Sequence, residues 1–161
     1  MKAVLVSGGA GYIGSHTVQA LSEAGYQPVV LDSLITGHRE AVAKDIPFYQ
    51  GDIADEGLVA DIVKKERVSA VIHFAARSLV GESVQKPDLY FEENVAKTNR
   101  FVSTLLKCGV NKIVFSSTAA TYGNPEVIPI PEQSKKEPIN PYGASKLMIE
   151  QSFFGWSRPM A

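Results

Sequence analysis

Apolar residues fall along this chain in short runs separated by longer segments of mixed character. Ala3-Val4-Leu5-Val6, closed by Ser7-Gly8-Gly9, suits a strand buried on both faces that ends in a tight turn. From Tyr12 to Ala24 the apolar positions Ile13, Val18, Leu21 and Ala24 recur at helical spacing, and Gly25 stops the helix. Pro28-Val29-Val30-Leu31 is a second strand ending on Asp32, and residues 33–46 are mixed, with a short helix expected near Arg39 to Ala43. Phe48-Tyr49-Gln50 gives a third strand before the turn Gly51-Asp52, and Leu58, Val59, Ile62 and Val63 form another helical stripe. Ala70-Val71-Ile72-His73-Phe74 is a fourth strand. A long helical region is expected from about Asp88 to Lys107, closed by Gly109, and Ile113-Val114-Phe115 is a fifth strand running into Ser116-Ser117-Thr118.

Short β-rich runs alternating with helices predict an α/β fold: a doubly wound parallel sheet of Rossmann type in three αβα layers. No repeat of solenoid period and no low-complexity tract interrupts it. Gly123 to Pro141 carries Pro125, Pro129, Pro131, Pro138 and Pro141, so it is a loop and not a central strand. It is either an interior linker or a loop on the substrate side, since sites in such sheets collect beyond the carboxyl ends of the strands.

With 161 residues, the chain has room for one domain with a real core and not for two of ordinary size. Sixteen Lys and Arg against seventeen Asp and Glu leave a formal charge of -1, so no global field gathers nucleic acid or an anionic membrane. No stretch approaches the ~20 apolar residues of a membrane span, and the expected location is cytoplasmic. Cys108, the single cysteine, has no partner for a disulfide or a metal site and is expected as a buried or half-buried thiol.

Gly8-Gly9-Ala10-Gly11-Tyr12-Ile13-Gly14 places glycines at 8, 11 and 14 directly between a strand and a helix. In that position Gly8 permits the tight turn, Gly11 lets backbone approach a pyrophosphate, and Gly14 lets the helix pack closely on the sheet. The pyrophosphate then meets free N–H groups at a helix N-terminus. Asp32 ends the next strand 18 residues beyond Gly14. There a carboxylate accepts the adenosine ribose hydroxyls and repels a 2′-phosphate, which favours NAD over NADP. Asp52 either caps the helix that starts near Asp55 or accepts from the adenine amino group while Ile53 packs on the ring. His73 suits a packed, internally hydrogen-bonded histidine, and neither His16 nor His38 is near enough in sequence to suggest zinc.

Asn140-Pro141-Tyr142-Gly143-Ala144-Ser145-Lys146 is the second informative segment. Pro141 suits the first turn of a helix capped by Asn140, which puts Tyr142 and Lys146 four residues apart on one face. A phenol with a pKa near ~10 is a poor base at neutral pH, and a neighbouring ammonium favours the phenolate, which can then take a proton from a sugar hydroxyl. Ser116, Ser117 and Thr118 lie at the carboxyl end of the fifth strand. They either satisfy strand-end backbone groups or supply, with Thr118 as the choice, a hydrogen bond to the reacting oxygen.

Together these segments resemble the extended short-chain dehydrogenase/reductase family over about residues 2–151, and within it the epimerases acting on UDP-hexoses. The glycine loop through Ser15-His16, Leu31 to Arg39, His73-Phe74-Ala75-Ala76, Val80-Gly81-Glu82-Ser83-Val84, Asn94-Val95 and Tyr142 to Lys146 carry the resemblance in order. It implies a firmly held NAD and interconversion of UDP-glucose and UDP-galactose through a 4-keto intermediate. Tyr142 would deprotonate O4, Lys146 would hold the nicotinamide ribose and tune Tyr142, and Thr118 would be the Ser/Thr partner. Gly8, Gly11, Tyr12, Ile13, Gly14, Asp32, Ser33, Asp52, Ile53, Phe74, Ala75, Ala76, Asn94 and Ser116 complete the expected cofactor set, with Phe74, Ala75 and Ala76 on the nicotinamide side. Other epimerases of nucleotide sugars and the dehydratases are the near alternatives. The dehydratases place an Asp-Glu pair after the catalytic Thr, where this chain has Ala119-Ala120. A non-catalytic NAD-binding module or inactive fragment is the alternative of a different class.

Three departures from the family pattern stand out. Ser33 replaces the usual Asn, and Ser78 stands where many epimerases have a cofactor-contacting lysine. Family members are also much longer. The expectation is therefore an NAD-binding domain over 1–154, incomplete at its carboxyl-terminal side, a divergent tail over 155–161 broken by Gly155 and Pro159, and an absent substrate domain. The expected partners are a UDP-hexose and either a second copy in a homodimer or a separate chain supplying the missing half.

Overall fold

A computed structural model describes residues 2–157. They fall into two compact units, residues 2–75 with 100–116, and residues 76–99 with 117–157. No helix among the described residues is long and apolar enough to cross a membrane.

The first unit is built on a parallel sheet of five strands, β1 (Ala3–Ser7), β2 (Gln27–Asp32), β3 (Phe48–Gln50), β4 (Val68–His73) and β5 (Ile113–Phe115), in the order β3-β2-β1-β4-β5. This is the doubly wound order, in which the chain reverses its direction of travel between β1 and β4. Alternate residues of β1 and β2 point to opposite faces, as the pleat requires. Leu5, Val29, Leu31 and Val71 meet Val59, Ile62 and Val63 of α2 (Glu56–Glu66) and Phe101 and Leu105 of α5 (Lys97–Lys107) on one face. Val6 and Val30 meet Val18 of α1 (Tyr12–Glu23) on the other, with Val42 beside them. Each fully buried aliphatic side chain in these layers contributes ~1.5–3 kcal/mol, so the two clusters supply most of what holds the sheet.

Local chemistry sets the element ends. Asp55 caps α2 by accepting from the Leu58 N–H at 3.0 Å, so capping falls to Asp55 and not to Asp52. Asp52 instead accepts from the Ala54 N–H at 2.8 Å in the preceding turn. The short helix expected near Arg39–Ala43 is a 3₁₀ turn, Arg39–Ala41. His73 is buried at the end of β4, 2.6 Å from Ser7 Oγ through Nδ1 and between the rings of Phe101 and Phe115, the packed role expected of it. Cys108 is a correction: it follows the last turn of α5 and its side chain is exposed.

The second unit is helical. It contains α3 (Val80–Gln85), α4 (Pro87–Tyr90), a π-helical segment (Phe91–Ala96), a 3₁₀ turn (Ala119–Tyr122) and α6 (Pro141–Ser157), which packs on all of them. The long helix expected from Asp88 to Lys107 is thus interrupted by the wider π turn, and α3 was not expected at all. A six-residue helix of Val-Gly-Glu-Ser-Val-Gln has little propensity of its own. It is held by tertiary partners, with the Tyr90 hydroxyl bonded to both backbone groups of Leu79, the residue before it. The loop over 123–140 contains no strand, as its prolines require. The expected break at Gly155 is absent: α6 runs through it to Ser157, a cost of ~1 kcal/mol against alanine that a long packed helix absorbs. Arg158, Pro159, Met160 and Ala161 lie outside the described residues.

Helix α1 is tied to the sheet at Gly14, where a Cβ would lie 2.1 Å from the Gly8 carbonyl oxygen. That oxygen belongs to backbone and cannot swing away. Gly14→Ala is therefore expected to destabilise the chain by about 2–3 kcal/mol, a fall of ~5–10 °C in unfolding temperature. Thermal unfolding of the variant beside the parent checks this, and an unchanged midpoint would mean that α1 is not held at this distance.

Candidate functional site

In the first unit the loops leaving β1 and β4 meet at the point where the strand order reverses. Gly8 has a φ of +75°, a left-handed conformation that side chains resist, and a Cβ there would lie 2.6 Å from the Ala75 backbone nitrogen. The glycine loop is fastened from beside it by Asp32. One carboxylate oxygen accepts from the Ala10 N–H at 2.9 Å and the other from the Leu34 N–H at 2.8 Å. Each oxygen keeps a second acceptor site, so Asp32 can shape the loop and still receive ribose hydroxyls.

The open side of this loop is at Gly11, the residue before α1. Among the described residues a Cβ there would meet only the Gly8 carbonyl oxygen, at 3.4 Å, so the position just before α1 is open on that side. Tyr12 and Ile13 follow, 83% and 59% exposed, large apolar side chains that the core does not use. Ser33 is exposed beside Asp32, and the Gly51 N–H bonds the Asp32 carbonyl at 3.0 Å, which brings the Asp52 turn next to it. Ile53 is only 8% exposed and belongs to the core below α2, so it has little surface to offer a ring. Phe74 and Ala75 are half-buried after β4, and the Ser116 N–H bonds the His73 carbonyl at 3.1 Å, continuing the sheet one residue beyond β5.

The second unit has a polar interior. Ser83, Asn94, Thr98, Thr121, Ser145 and Lys146 are all buried there, with Tyr90 and Ile149 as its fully buried large side chains. Asn140 caps α6 as expected, accepting from the Gly143 N–H at 2.8 Å. Tyr142 is half-buried in the first turn, and Lys146, one turn on, is 3% exposed. A chain of hydrogen bonds fixes this turn. Asn94 Nδ2 donates to Ser145 Oγ at 3.0 Å, and Ser145 Oγ donates to the Tyr142 carbonyl at 2.7 Å. Asn94 is itself locked to both backbone groups of Arg77, at 2.8 and 3.0 Å. Ala76, the last of the residues expected on the nicotinamide side, is half-buried just before that anchor.

Thr118 caps the 3₁₀ turn, its Oγ1 accepting from the Ala120 N–H at 3.2 Å. That turn is pressed against α6: a Cβ on Gly143 would lie 2.5 Å from the Ala120 carbonyl oxygen. A second fastening joins the same elements, since Glu150 on α6 bonds both Ser117 and Lys136. The structure therefore brings the elements bearing Thr118, Asn94, Tyr142 and Lys146 together. Ser145, Gly143 and Glu150 were not singled out from the sequence. Their signal was helical spacing alone: Ser145 lies three residues after Tyr142, and Glu150 four after Lys146.

The chain matches the model of the NAD dependent epimerase/dehydratase family over residues 4–159 and belongs to that family. Among its members it is similar to the UDP-glucose 4-epimerases. It is 54% identical to that of Halalkalibacterium halodurans over 151 residues, covering 94% of this chain and 45% of the relative. The Streptococcus mutans enzyme is 54% identical over 157 residues, with 96% and 47% covered. The crystal structure of UDP-glucose 4-epimerase from Brucella ovis in complex with NAD superposes with a TM-score of 0.94 at 43% identity, covering 98% of this chain and 48% of that one. The Thermotoga maritima enzyme, solved with UDP-glucose, superposes with a TM-score of 0.88 at 37% identity, covering 96% and 52%. The chain spans about half the length of the curated relatives it matches.

Burial lowers the Lys146 ammonium from its ordinary pKa of 10.5 to about 8. Between those two values the unfolded chain binds more protons than the folded one. Folding therefore carries the full penalty below about pH 8, on the order of 3 kcal/mol, and the penalty fades as pH rises toward 10.5. Lys146→Met is expected to stabilise the ligand-free chain at pH 7 by on the order of 1–3 kcal/mol, with the gain shrinking between pH 8 and 10. Denaturant unfolding of both chains across that range measures it, and a gap constant with pH would show that Lys146 does not carry the buried charge.

Proposed function

We propose that this chain carries the NAD-binding and proton-transfer machinery of an enzyme that inverts C4 of a UDP-hexose, interconverting UDP-glucose and UDP-galactose through a 4-keto intermediate. The observation that carries this function is Lys146, a cationic side chain held in the protein interior one turn from Tyr142. Burying an ammonium is costly, and a protein retains one where chemistry uses it. The names of the relatives supply the substrate class.

The glycine loop fits NAD: the position of Gly11 just before α1 is open on one side, the N-terminus of α1 offers N–H groups to a pyrophosphate, and Asp32 retains acceptor sites for a ribose. Gly8, Gly11, Gly14, Tyr12, Ile13 and Asp32 would hold it, with Ser33, Asp52, Phe74, Ala75, Ala76 and Ser116 as the further contacts; the burial of Ile53 and Asn94 removes them from that set. Bound NAD supplies a reversible hydride acceptor. Tyr142 takes the proton from the sugar's O4 hydroxyl and later returns it, and the Lys146 ammonium favours the phenolate that does so. Lys146 also holds the nicotinamide ribose, and Thr118 donates a hydrogen bond to the reacting oxygen. Asn94 acts through Ser145 by holding the Tyr142 turn. A dehydratase needs an acid and a base after Thr118, and Ala119-Ala120 offers neither. The partner that completes UDP binding is a second copy or a further polypeptide segment, and the proposed location is the cytoplasm.

NAD is expected to raise the unfolding temperature of the parent chain, because a ligand stabilises the state it binds. Asp32→Asn is expected to weaken that binding by roughly 10- to 100-fold through loss of charge-assisted hydrogen bonds. Gly11→Ala is expected to weaken it by obstruction while changing ligand-free stability by no more than about 0.5 kcal/mol. An Asp32→Asn chain with parental NAD affinity would remove Asp32 from the site.

Tyr142→Phe is expected to abolish conversion of UDP-glucose while the NAD-induced thermal shift persists. Retained conversion refutes the role of Tyr142. A parent chain that binds NAD yet leaves UDP-sugars unconverted, alone and at high protein concentration, selects the non-catalytic module instead.

A further inference from the structure

A second tyrosine in the helical unit has no part in the roles above. Tyr90 ends α4 and is fully buried. Its ring meets the ring of Tyr142 edge to face, with centroids 6.5 Å apart and planes at 83°. Its hydroxyl accepts from the Leu79 N–H at 3.0 Å and faces two acceptors, the Leu79 carbonyl at 2.8 Å and Glu82 Oε2 at 3.1 Å. A ring needed only to fill space would be served by phenylalanine. A hydroxyl with three partners specifies how the ring is turned, and an edge-to-face neighbour inherits that orientation.

Tyr142 is thus held at both ends. Its backbone is gripped through Ser145 by Asn94, and its ring lies against Tyr90. The two grips come from residues four apart on one helical stretch, with the π-helical segment Phe91–Ala96 carrying Asn94 immediately after Tyr90.

We propose that Tyr90 is a positioning residue for Tyr142, fixing the plane of its ring and hence the direction from which its hydroxyl meets a sugar hydroxyl. This rests on Tyr142 being the proton-transferring group. The charges around the pair agree with it. Burial first, and then the hydrogen bond to Glu82, raise the Tyr90 phenol above its ordinary pKa. Glu82 is in turn 3.8 Å from Arg77 and 3.7 Å from Lys86. Tyr90 is thereby held as a neutral hydrogen-bonding hydroxyl, adding no charge beside Tyr142.

The experiment is NMR of the whole chain labelled at the tyrosine rings, with the Tyr142 signals assigned by their loss in Tyr142→Phe. Tyr90→Phe keeps the neighbouring ring but loses the three hydroxyl contacts that set its plane, and is expected to retain a ring-current displacement of Tyr142 that is shifted from the parent's. Tyr90→Leu is expected to lose that displacement and to speed Tyr142 ring flips, with the NAD-induced thermal shift retained. Tyr90→Met fills the same space with a more adaptable side chain and takes its place should the leucine variant not fold. In a preparation that turns over, the aliphatic variants are expected to lose roughly 10- to 100-fold in kcat with KM little changed, and Tyr90→Phe, which keeps the ring without its hydroxyl contacts, to fall between them and the parent. Tyr142 signals in an aliphatic variant that superpose on the parent overturn the positioning role and leave the proposed function standing. Conversion that survives Tyr142→Phe overturns both.

Discussion

The sheet unit depends on two places where backbone touches backbone with no side chain between. Gly14 brings α1 down onto the Gly8 carbonyl, and Gly8 lets the loop after β1 press on the loop after β4. These contacts set the height of the α1 N-terminus above the reversal point of the sheet, and so decide where an anion would sit. The valine and leucine layers make the unit stable, but aliphatic packing tolerates substitutions of similar volume. A carbonyl at 2.1 Å from a would-be Cβ tolerates none. Asp32 belongs to the same constraint, because the carboxylate that would face a ribose also fastens Ala10 and Leu34.

The helical unit is organised by the opposite material. Where the sheet unit fills its interior with Val, Ile and Leu, this one buries hydroxyls, an amide and an ammonium. Such an interior is stable only when its groups are paired, and pairing is directional. Asn94 shows the result: its amide uses three partners in two other segments, so moving any one disturbs all. The π turn that carries it is of a kind that recurs at functional sites. Stability is exchanged here for precision in how the first turn of α6 is presented.

The sheet was legible in the sequence because apolar runs, glycine punctuation and strand length agree at each of its five strands. The turn at Gly8 and the capped first turn of α6 were legible for a different reason: particular residue types stand there at fixed spacing. What escaped was decided by tertiary contact. Helix α3 exists because Tyr90 bonds Leu79, and no pattern within Val80–Gln85 announces that. The fastening of Thr118 to α6 through Gly143 and Glu150 joins residues more than twenty positions apart. Cys108 was misjudged because cysteine as a type favours the interior, whereas this one falls just beyond the last turn of α5 with no layer above it. Gly155 was misjudged because helix propensity is a weak force beside the continuation of a helix that has already run from Pro141 to Phe154.

Lys146 shows why the two units use different interiors. In the valine layers of the sheet an ammonium would meet no compensating group and would be expelled or neutralised. In the helical unit it remains, with a pKa lowered by burial to about 8, still charged at neutral pH by a margin of roughly one unit. That margin suits the role assigned to it. An ammonium with an ordinary pKa would be well solvated, and water would weaken its hold on a neighbouring phenol. One buried more completely among apolar groups would lose its proton and exert no field at all. Ser145, the residue before Lys146, belongs to the chain of hydrogen bonds that holds the Tyr142 turn in place. The buried ammonium and the hydrogen-bond network that fixes the first turn of α6 thus stand side by side on one turn of helix.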